Sequence, residues 1–287
     1  MFAALTVRER RAKGILGQLR LFSRPDLPAS HMVQEGNISY LEINAQFDKR
    51  HPLDWDTILR LAAWAPAGLL LPNGFSPPDS LSYRSVDLSP FQRLLCCRAC
   101  HRSLQESDLS PSKLQICLMD PTGQYGNVAL SLLRYASTVK VYTPQVELLE
   151  EAARQSIKRY GAPLLVSDDP RCVSQCPVVL NPWGMQAPIS RESVIFSTRP
   201  LKGQHSLCLT SYTAAVGGEA GRLCPSGIDA TQFAAALYAA GRLRDPVEVS
   251  SCLGGGQWLD FLSVSSSIRR AYDFFEGGET GELKRKH

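Results

Sequence analysis

The strongest constraint on this chain is a rhythm: from about residue 113 onward, short apolar runs alternate with turns and helix-like runs. KLQICLM (113–119), STVKVYT (137–143), PLLVS (163–167), PVVLN (177–181), SVIFST (193–198) and HSLCLTSY (205–212) read as strands. Each run is short, as strands are, and most sit beside Pro, Asp, Asn or Ser. Between the first two, NVALSLLRYA places Val128, Leu132 and Leu133 on one helical face. VELLEEAARQSIKRYG leads to the third strand and ends its helical pattern at Gly161, as a C-cap should. Apolar strands alternating with helices are the pattern of a parallel sheet with crossover helices. The expected fold is therefore α/β, a doubly wound, mostly parallel sheet of six strands, with a strong helix at DATQFAAALYAAG (229–241) after the sixth.

The first hundred residues differ in texture. ISYLEI (38–43) reads as a strand, and LDWDTILRLAAWA (53–65) and FQRLLCCRACHRSL (91–104) read as helices. They predict a second, smaller N-terminal α/β domain over residues 1–108, with NGFSPPDSLSYRSVDLSP (73–90) as a loop and ESDLSPS (106–112) as a hinge. The sheet domain then spans 109–245, and 246–287 forms a C-terminal helix and tail packing back on the domain interface. There VEVSSCLGGGQWLDFLSVSSSIRRAYDFF reads as a glycine-rich turn before one closing helix, and GGETGELKRKH as a frayed tail.

Composition removes several classes of function. Of 287 residues, 31 are Lys or Arg and 27 are Asp or Glu, a net charge of +4 spread along the chain, so no nucleic-acid partner is expected. The basic run VRERRAKGILGQLR (7–20) has Ile15, Leu16 and Leu19 at helical spacing and reads as the solvated face of an N-terminal helix. No apolar stretch reaches the roughly 18 residues of a membrane span, and the N-terminus carries its apolar residues before its charges, the reverse of a secretory signal. No membrane association is expected, and the expected address is the cytoplasm. Nine cysteines, an odd number in a chain of this length, fit reduced thiols better than a disulfide framework.

The loop after the first strand of the series, Asp-Pro-Thr-Gly-Gln-Tyr-Gly (120–126), invites comparison with G-x-G-x-x-G. In that fingerprint the first Gly makes a tight turn, the second lets backbone approach a pyrophosphate, and the third permits close packing. Pro121 stands at the first position, and Gly123 and Gly126 at the other two. Proline offers no N–H, so a dinucleotide would be gripped from Thr122 onward, through Gly123, Gln124, Tyr125, Gly126 and Asn127. At the end of the second strand, where an acidic residue would hold a ribose diol, stands Thr143. A neutral hydroxyl does not repel a 2′-phosphate, so NADP is favoured slightly over NAD. This loop makes the expected domain a Rossmann-like NAD(P)-binding one.

The fourth strand ends in Asn181-Pro182-Trp183-Gly184-Met185. VVLNPWGM resembles a shortened form of the N-x-x-P-x-G-M segment that follows the fourth strand in shikimate dehydrogenases and their relatives. With the glycine loop and VKVYT, the similarity covers about residues 113–185 and is one of pattern. It implies a two-domain NAD(P)-linked dehydrogenase architecture in which Asn181 to Met185 flank the nicotinamide. The family's Asn-Val-Thr-x-Pro-x-Lys segment is missing, so shikimate is not the expected substrate. The implied activity is oxidoreduction of a small polar metabolite held between two domains, with self-association left open.

Proton donors in such enzymes often come from the smaller domain, which nominates Lys49 and His51 in FDKRHP, and Tyr212 at the end of the sixth strand is a third candidate. None of the five histidines lies in a G-x-S-x-G elbow or an H-E-x-x-H pair, so hydrolase chemistry has no support. Asp229 reads as a helix cap. Cys97 and Cys100 share a helical face and Cys172 and Cys176 form a second pair, which leaves a thiolate zinc module as a weaker alternative. The stronger alternative is a non-catalytic Rossmann-like protein that binds a nucleotide or a partner as a sensor or assembly factor.

Overall fold

The structure, a computed structural model, describes residues 1–10, 24–112, 114–243 and 247–283. The chain divides into two compact units, Met1–Phe91 with Ala214–Val247, and Gln92–Thr213 with Glu248–His287. These divisions differ from the expected ones at 108 and 245. Of the expected hinge at 106–112 only Glu106 and Ser107 are helical, the unit boundary falls earlier, after Phe91, and a central segment beginning at Ala214 joins the N-terminal unit.

The first unit is built on a four-stranded sheet, in which β1 (Ala3–Glu9) lies between β3 (Ile38–Phe47) and β4 (Leu69–Leu70), with β2 (Ala29–Glu35) outside β3. β1 runs parallel to β3 and β4, and β2 is antiparallel to β3. Alternation along β1 decides what each face packs against, because successive side chains point to opposite sides. Ala3 and Leu5, with Leu41 and Ile43, cover Ile58 and Ala62 of α1 (Trp55–Ala62), a helix capped by the Asp54 carboxylate accepting from the Thr57 amide. Phe2 and Ala4, with Ile38 and Tyr40, face Phe233, Ala236 and Leu237. Those three belong to the helix read at 229–241, which here spans Ala230–Ala239 with Asp229 as its cap. A sheet apolar on both faces needs a second cover; this is why residues 214–247 fold with the N-terminal unit. Tyr40 stacks on Phe2 at 5.5 Å, and Phe233 meets both edge-on.

Val7 to Glu9 extend β1 instead of opening a helix; the rest of the helix expected at 7–20 lies, apart from Arg10, outside the described residues.

The second unit holds an eight-stranded sheet in the order β12-β11-β10-β9-β8-β5-β6-β7. All six expected strands are present: β5 (Gln115–Met119), β6 (Thr138–Tyr142), β7 (Leu164–Ser167), β8 (Val178–Asn181), β9 (Val194–Ser197) and β10 (Leu207–Ala215), each parallel to its neighbours within this set. The unit is thus mixed α/β with a mostly parallel sheet. In chain order α2 (Ser89–Ser107), α3 (Gly126–Leu132) and α4 (Glu150–Tyr160) follow α1. α4 ends at Gly161 with φ +64°, the left-handed cap its sequence predicted. α5 (Gly218–Arg222) and α6 (Ala230–Ala239) belong to the first unit.

Two strands were missed at the C-terminal end. β11 (Glu248–Gly254) and β12 (Gln257–Leu259) form a hairpin around Gly255 and Gly256, both with positive φ, the two-residue turn whose twist matches antiparallel strands. The turn is legible as a turn, but β11 is too polar, and β12 too short, to stand out. α7 (Phe261–Leu283) is tied to α2 within this unit: the Ser265 hydroxyl donates to the Ser103 carbonyl and Arg269 donates to the carbonyl of Ser107. Among the described residues no helix is long and apolar enough to cross a membrane.

Candidate functional site

In the eight-stranded sheet the chain runs from β5 outward to β6 and β7, then returns to the other side of β5 as β8. The loops leaving β5 and β8 therefore emerge side by side where the winding reverses. β5 is buried along QICLM except at its first residue, and Asp120 follows it with no exposed surface.

Asp120 is the residue that organises the loop. One carboxylate oxygen accepts from the Thr122 amide at 3.0 Å and the Thr122 hydroxyl at 2.8 Å, and the other accepts from the Tyr125 amide at 2.8 Å. The Gln124 amide is directed at the Thr122 hydroxyl. The expected grip on a pyrophosphate by the amides from Thr122 onward is thereby corrected: an internal carboxylate already holds two of them, and a phosphate placed there would meet its negative charge.

The glycines have local reasons of their own. Gly123 lies at φ +68°, and a Cβ there would come within 2.9 Å of Leu148 Cβ and 3.0 Å of Gln145 Cβ. Its bare face is pressed against the turn at Val146–Leu149, not open to a ligand. At Gly126 a Cβ would lie 3.3 Å from Ala152 and Leu149, so this glycine lets α3 approach α4, the packing role of the third fingerprint glycine. Asn127, next in α3, is exposed.

Thr143 is fully buried: its hydroxyl accepts the Gln145 amide at 3.0 Å and its own amide donates to the Ser167 carbonyl. It turns the chain after β6 and presents no surface to a ribose. Asn181 is equally occupied. Its side-chain NH2 donates to the Met185 carbonyl at 2.8 Å while its side-chain oxygen accepts the Met185 amide at 2.9 Å, closing the loop 181–185 on itself. The Pro182 carbonyl accepts from the Thr198 hydroxyl, and Gly184, at φ +65°, sits where a Cβ would fall 2.9 Å from that of Arg199.

One side chain of that loop is differently placed. Trp183 lies 6.1 Å from Tyr125, edge to face, so the two loops do meet, and the guanidinium of Arg93 stands 4.0 Å above its ring. Its indole N–H is buried and has no hydrogen-bond partner among the described residues. Burial pushes the Tyr125 phenol up to about 12, with the charges of Cys97 and Asp120 adding to the rise and Arg93, hydrogen-bonded beside it, opposing it. The result is a half-buried platform of one cation and two aromatic rings, able to stack a planar group and to pair an anionic one. Sequence reading found Trp183 and Tyr125 but not Asp120 or Arg93. Asp120 was legible in principle, since Asp two residues before Thr at a strand end is turn chemistry. Arg93 comes from the start of α2, far away in sequence, and no local pattern marks it.

Of the expected proton donors, Lys49 and His51 belong to the first unit and Tyr212 to the second. Lys49 is exposed in the turn after β3, in the first unit. His51 sits in the same turn with Nδ1 3.0 Å from Asp48, whose carboxylate also accepts the amides of Arg50 and His51. Tyr212 lies within β10, three residues before its end, and is 2% exposed. Its hydroxyl donates to the Ser197 carbonyl at 2.9 Å and touches Cys96 Sγ at 3.3 Å, and burial raises its pKa far beyond use as an acid near neutrality. The sequence pattern placed Tyr212 over a strand end because it could not show that β10 runs on to Ala215.

The four-thiolate arrangement does not assemble either. Cys97 and Cys100 lie in α2 among Cys96, Cys252 and Asp120, while Cys172 and Cys176 pack with Cys117. Among the described residues no group of three or more His, Cys, Asp or Glu side chains is arranged to hold a metal ion. In comparison with known proteins, the chain matches no family model and no curated protein.

Proposed function

We propose that this chain is a Rossmann-like nucleotide-binding protein of the cytoplasm, working as a sensor or assembly factor, with its ligand held by Arg93, Tyr125 and Trp183. The observation that carries the reading is the coincidence of that platform with the reversal of the order β7-β6-β5-β8-β9-β10. In doubly wound sheets, ligands bind outside the carboxyl ends of the strands at this switch point. Arg93 supplies a donor for an anionic group, and the face of Trp183 suits a base or another flat ring. The nine free thiols support the cytoplasmic assignment.

A non-catalytic role fits the commitments of the side chains expected to bind a cofactor or move a proton. Asn181 and Thr143 are used up within their own loops, Tyr212 is sealed in the sheet, and His51 is paired with Asp48. The second reading is an NAD(P)-dependent oxidoreductase acting on a small polar metabolite. It is favoured by the approach of the 181–185 loop to the loop after β5, where the resemblance to shikimate dehydrogenases would put the nicotinamide. Hydride chemistry would then belong to the cofactor, and the protein would need only to orient it.

Thermal unfolding with ATP, NAD, NADP and the reduced dinucleotides tests both. A ligand at a hundred times its Kd stabilises by about 2.7 kcal/mol. Stabilisation by a nucleotide that Arg93→Gln abolishes supports the first reading, and oxidation of a bound reduced dinucleotide by an added metabolite selects the second. No stabilisation by any of these ligands refutes both.

A further inference from the structure

The second thiol group has a different character from the first. Cys117 in β5 and Cys176 before β8 are fully buried, whereas Cys172, in the turn Pro170–Gln175, is partly open to solvent. All three pack into one apolar cluster with Met119, Val173, Val179 and Ile195. Within the cluster the Cys176 thiol donates to the Cys172 carbonyl and the Cys117 thiol to the Leu118 carbonyl, each at 3.8 Å, so the three cysteines crowd together. Lys140, the register partner of Cys117 on β6, donates from Nζ to the Gln175 side chain at 3.0 Å, which keeps an ammonium beside the turn.

These neighbours favour the thiolate at Cys172. The neighbouring Cys117 thiol is the largest influence, burial and the Asp169 charge oppose it, and the Lys140 charge assists, so the thiol is drawn down to about 7. Burial drives Cys96, Cys97, Cys100, Cys208, Cys224 and Cys252 in the other direction. A thiolate that solvent can reach is what reacts with electrophilic oxygen; a buried neutral thiol is inert.

We propose that Cys172 is a hydroperoxide-reactive cysteine and that Cys117 is its resolving partner. In the first step the Cys172 thiolate attacks the terminal oxygen of a hydroperoxide ROOH. The O–O bond breaks, RO⁻ leaves and takes a proton from water, and Cys172 becomes a sulfenic acid. In the second step the Cys117 sulfur attacks the Cys172 sulfur, the S–O bond breaks, and the departing hydroxide combines with the Cys117 proton as water. Two thiols and ROOH thus yield one disulfide, ROH and water: the cysteines are oxidised by two electrons and the peroxide is reduced by two. This chemistry is independent of what the Arg93 platform binds.

The full chain, reduced and then treated with hydrogen peroxide, is mapped by mass spectrometry after the remaining thiols are alkylated. The Cys117–Cys172 disulfide is expected before any other oxidation. Cys172→Ser is expected to prevent it, and Cys117→Ser to leave a sulfenic acid at Cys172 that dimedone traps. Because Cys117 is buried and its variant could misfold, the unsubstituted protein provides a separate reading: iodoacetamide at neutral pH should label Cys172 first. Oxidation or alkylation elsewhere ahead of Cys172, or a disulfide to Cys176 in its place, overturns the assignment.

Discussion

Replacing Asp120 tests the most specific structural claim about the loop, that its conformation is set by an internal anion. In Asp120→Ala, the amides of Thr122 and Tyr125 lose their acceptors at 3.0 and 2.8 Å, while the Thr122 hydroxyl can rotate to another. A buried donor left without a partner costs about 1–3 kcal/mol, so two cost about 2–6. Part of this is recovered because both amides are only part-buried and because a buried carboxylate itself gives up hydration on folding, which leaves a net loss of about 1–4 kcal/mol. Asp120→Asn keeps one oxygen, placed either at Thr122 or at Tyr125, and turns an NH2 toward the other amide. Its loss should be about half that of the alanine variant, about 0.5–2 kcal/mol. Urea denaturation followed by circular dichroism measures both, with an unchanged m-value as the check that the unfolding reaction is the same. If Asp120→Ala stays within about 0.5 kcal/mol of the parent, as ordinary surface substitutions do, the loop is not held by this carboxylate. If Asn proves as damaging as Ala, the count of lost acceptors is wrong.

Other consequences are simpler to state. Phe233→Ala removes a buried ring that meets Phe2 and Tyr40 edge-on, and should cost about 3–5 kcal/mol in denaturant unfolding if residues 214–247 complete the N-terminal core. Gly123→Ala should destabilise by more than the about 1–2 kcal/mol of left-handed strain, because its Cβ also meets Leu148 and Gln145, and differential scanning calorimetry reads the shift. Burial tends to raise the Asp48 pKa, but the amides of Arg50 and His51 and the His51 ring outweigh it and hold the carboxyl below its ordinary 3.8. A depressed folded pKa gives stability that is complete above the unfolded value and lost as pH falls from there through the folded one. Acid titration of stability should therefore show a loss below about that ordinary carboxyl value that Asp48→Asn diminishes.

β5, β8 and β9 are legible because each is an almost unbroken apolar run buried on both faces, whereas β6, with Lys140 at its centre, is legible by alternation. β1 escaped notice because AALTVRE combines small apolar residues with charges, and only the alternation between Phe2–Ala4 and Ala3–Leu5 reveals a strand covered twice. The helix at Ala230–Ala239 was legible as a helix, but nothing local says which sheet its Phe233 face covers. At the site, Gly123 and Gly126 were read for phosphate approach, although in the fold they answer to Leu148, Gln145, Leu149 and Ala152. Chain-to-chain packing and ligand approach demand the same residue, so sequence cannot separate them. Arg93 belongs to the contacts that form only when distant elements assemble.

Calorimetric titration of nucleotides into the parent and Arg93→Gln proteins tests most directly whether Arg93, Tyr125 and Trp183 form a ligand site. The predicted result is binding of a nucleotide by the parent and at least a tenfold weaker Kd for the variant, a loss of about 1.4 kcal/mol. Equal affinity in the two proteins, or no heat from ATP, NAD or NADP with either, would contradict it.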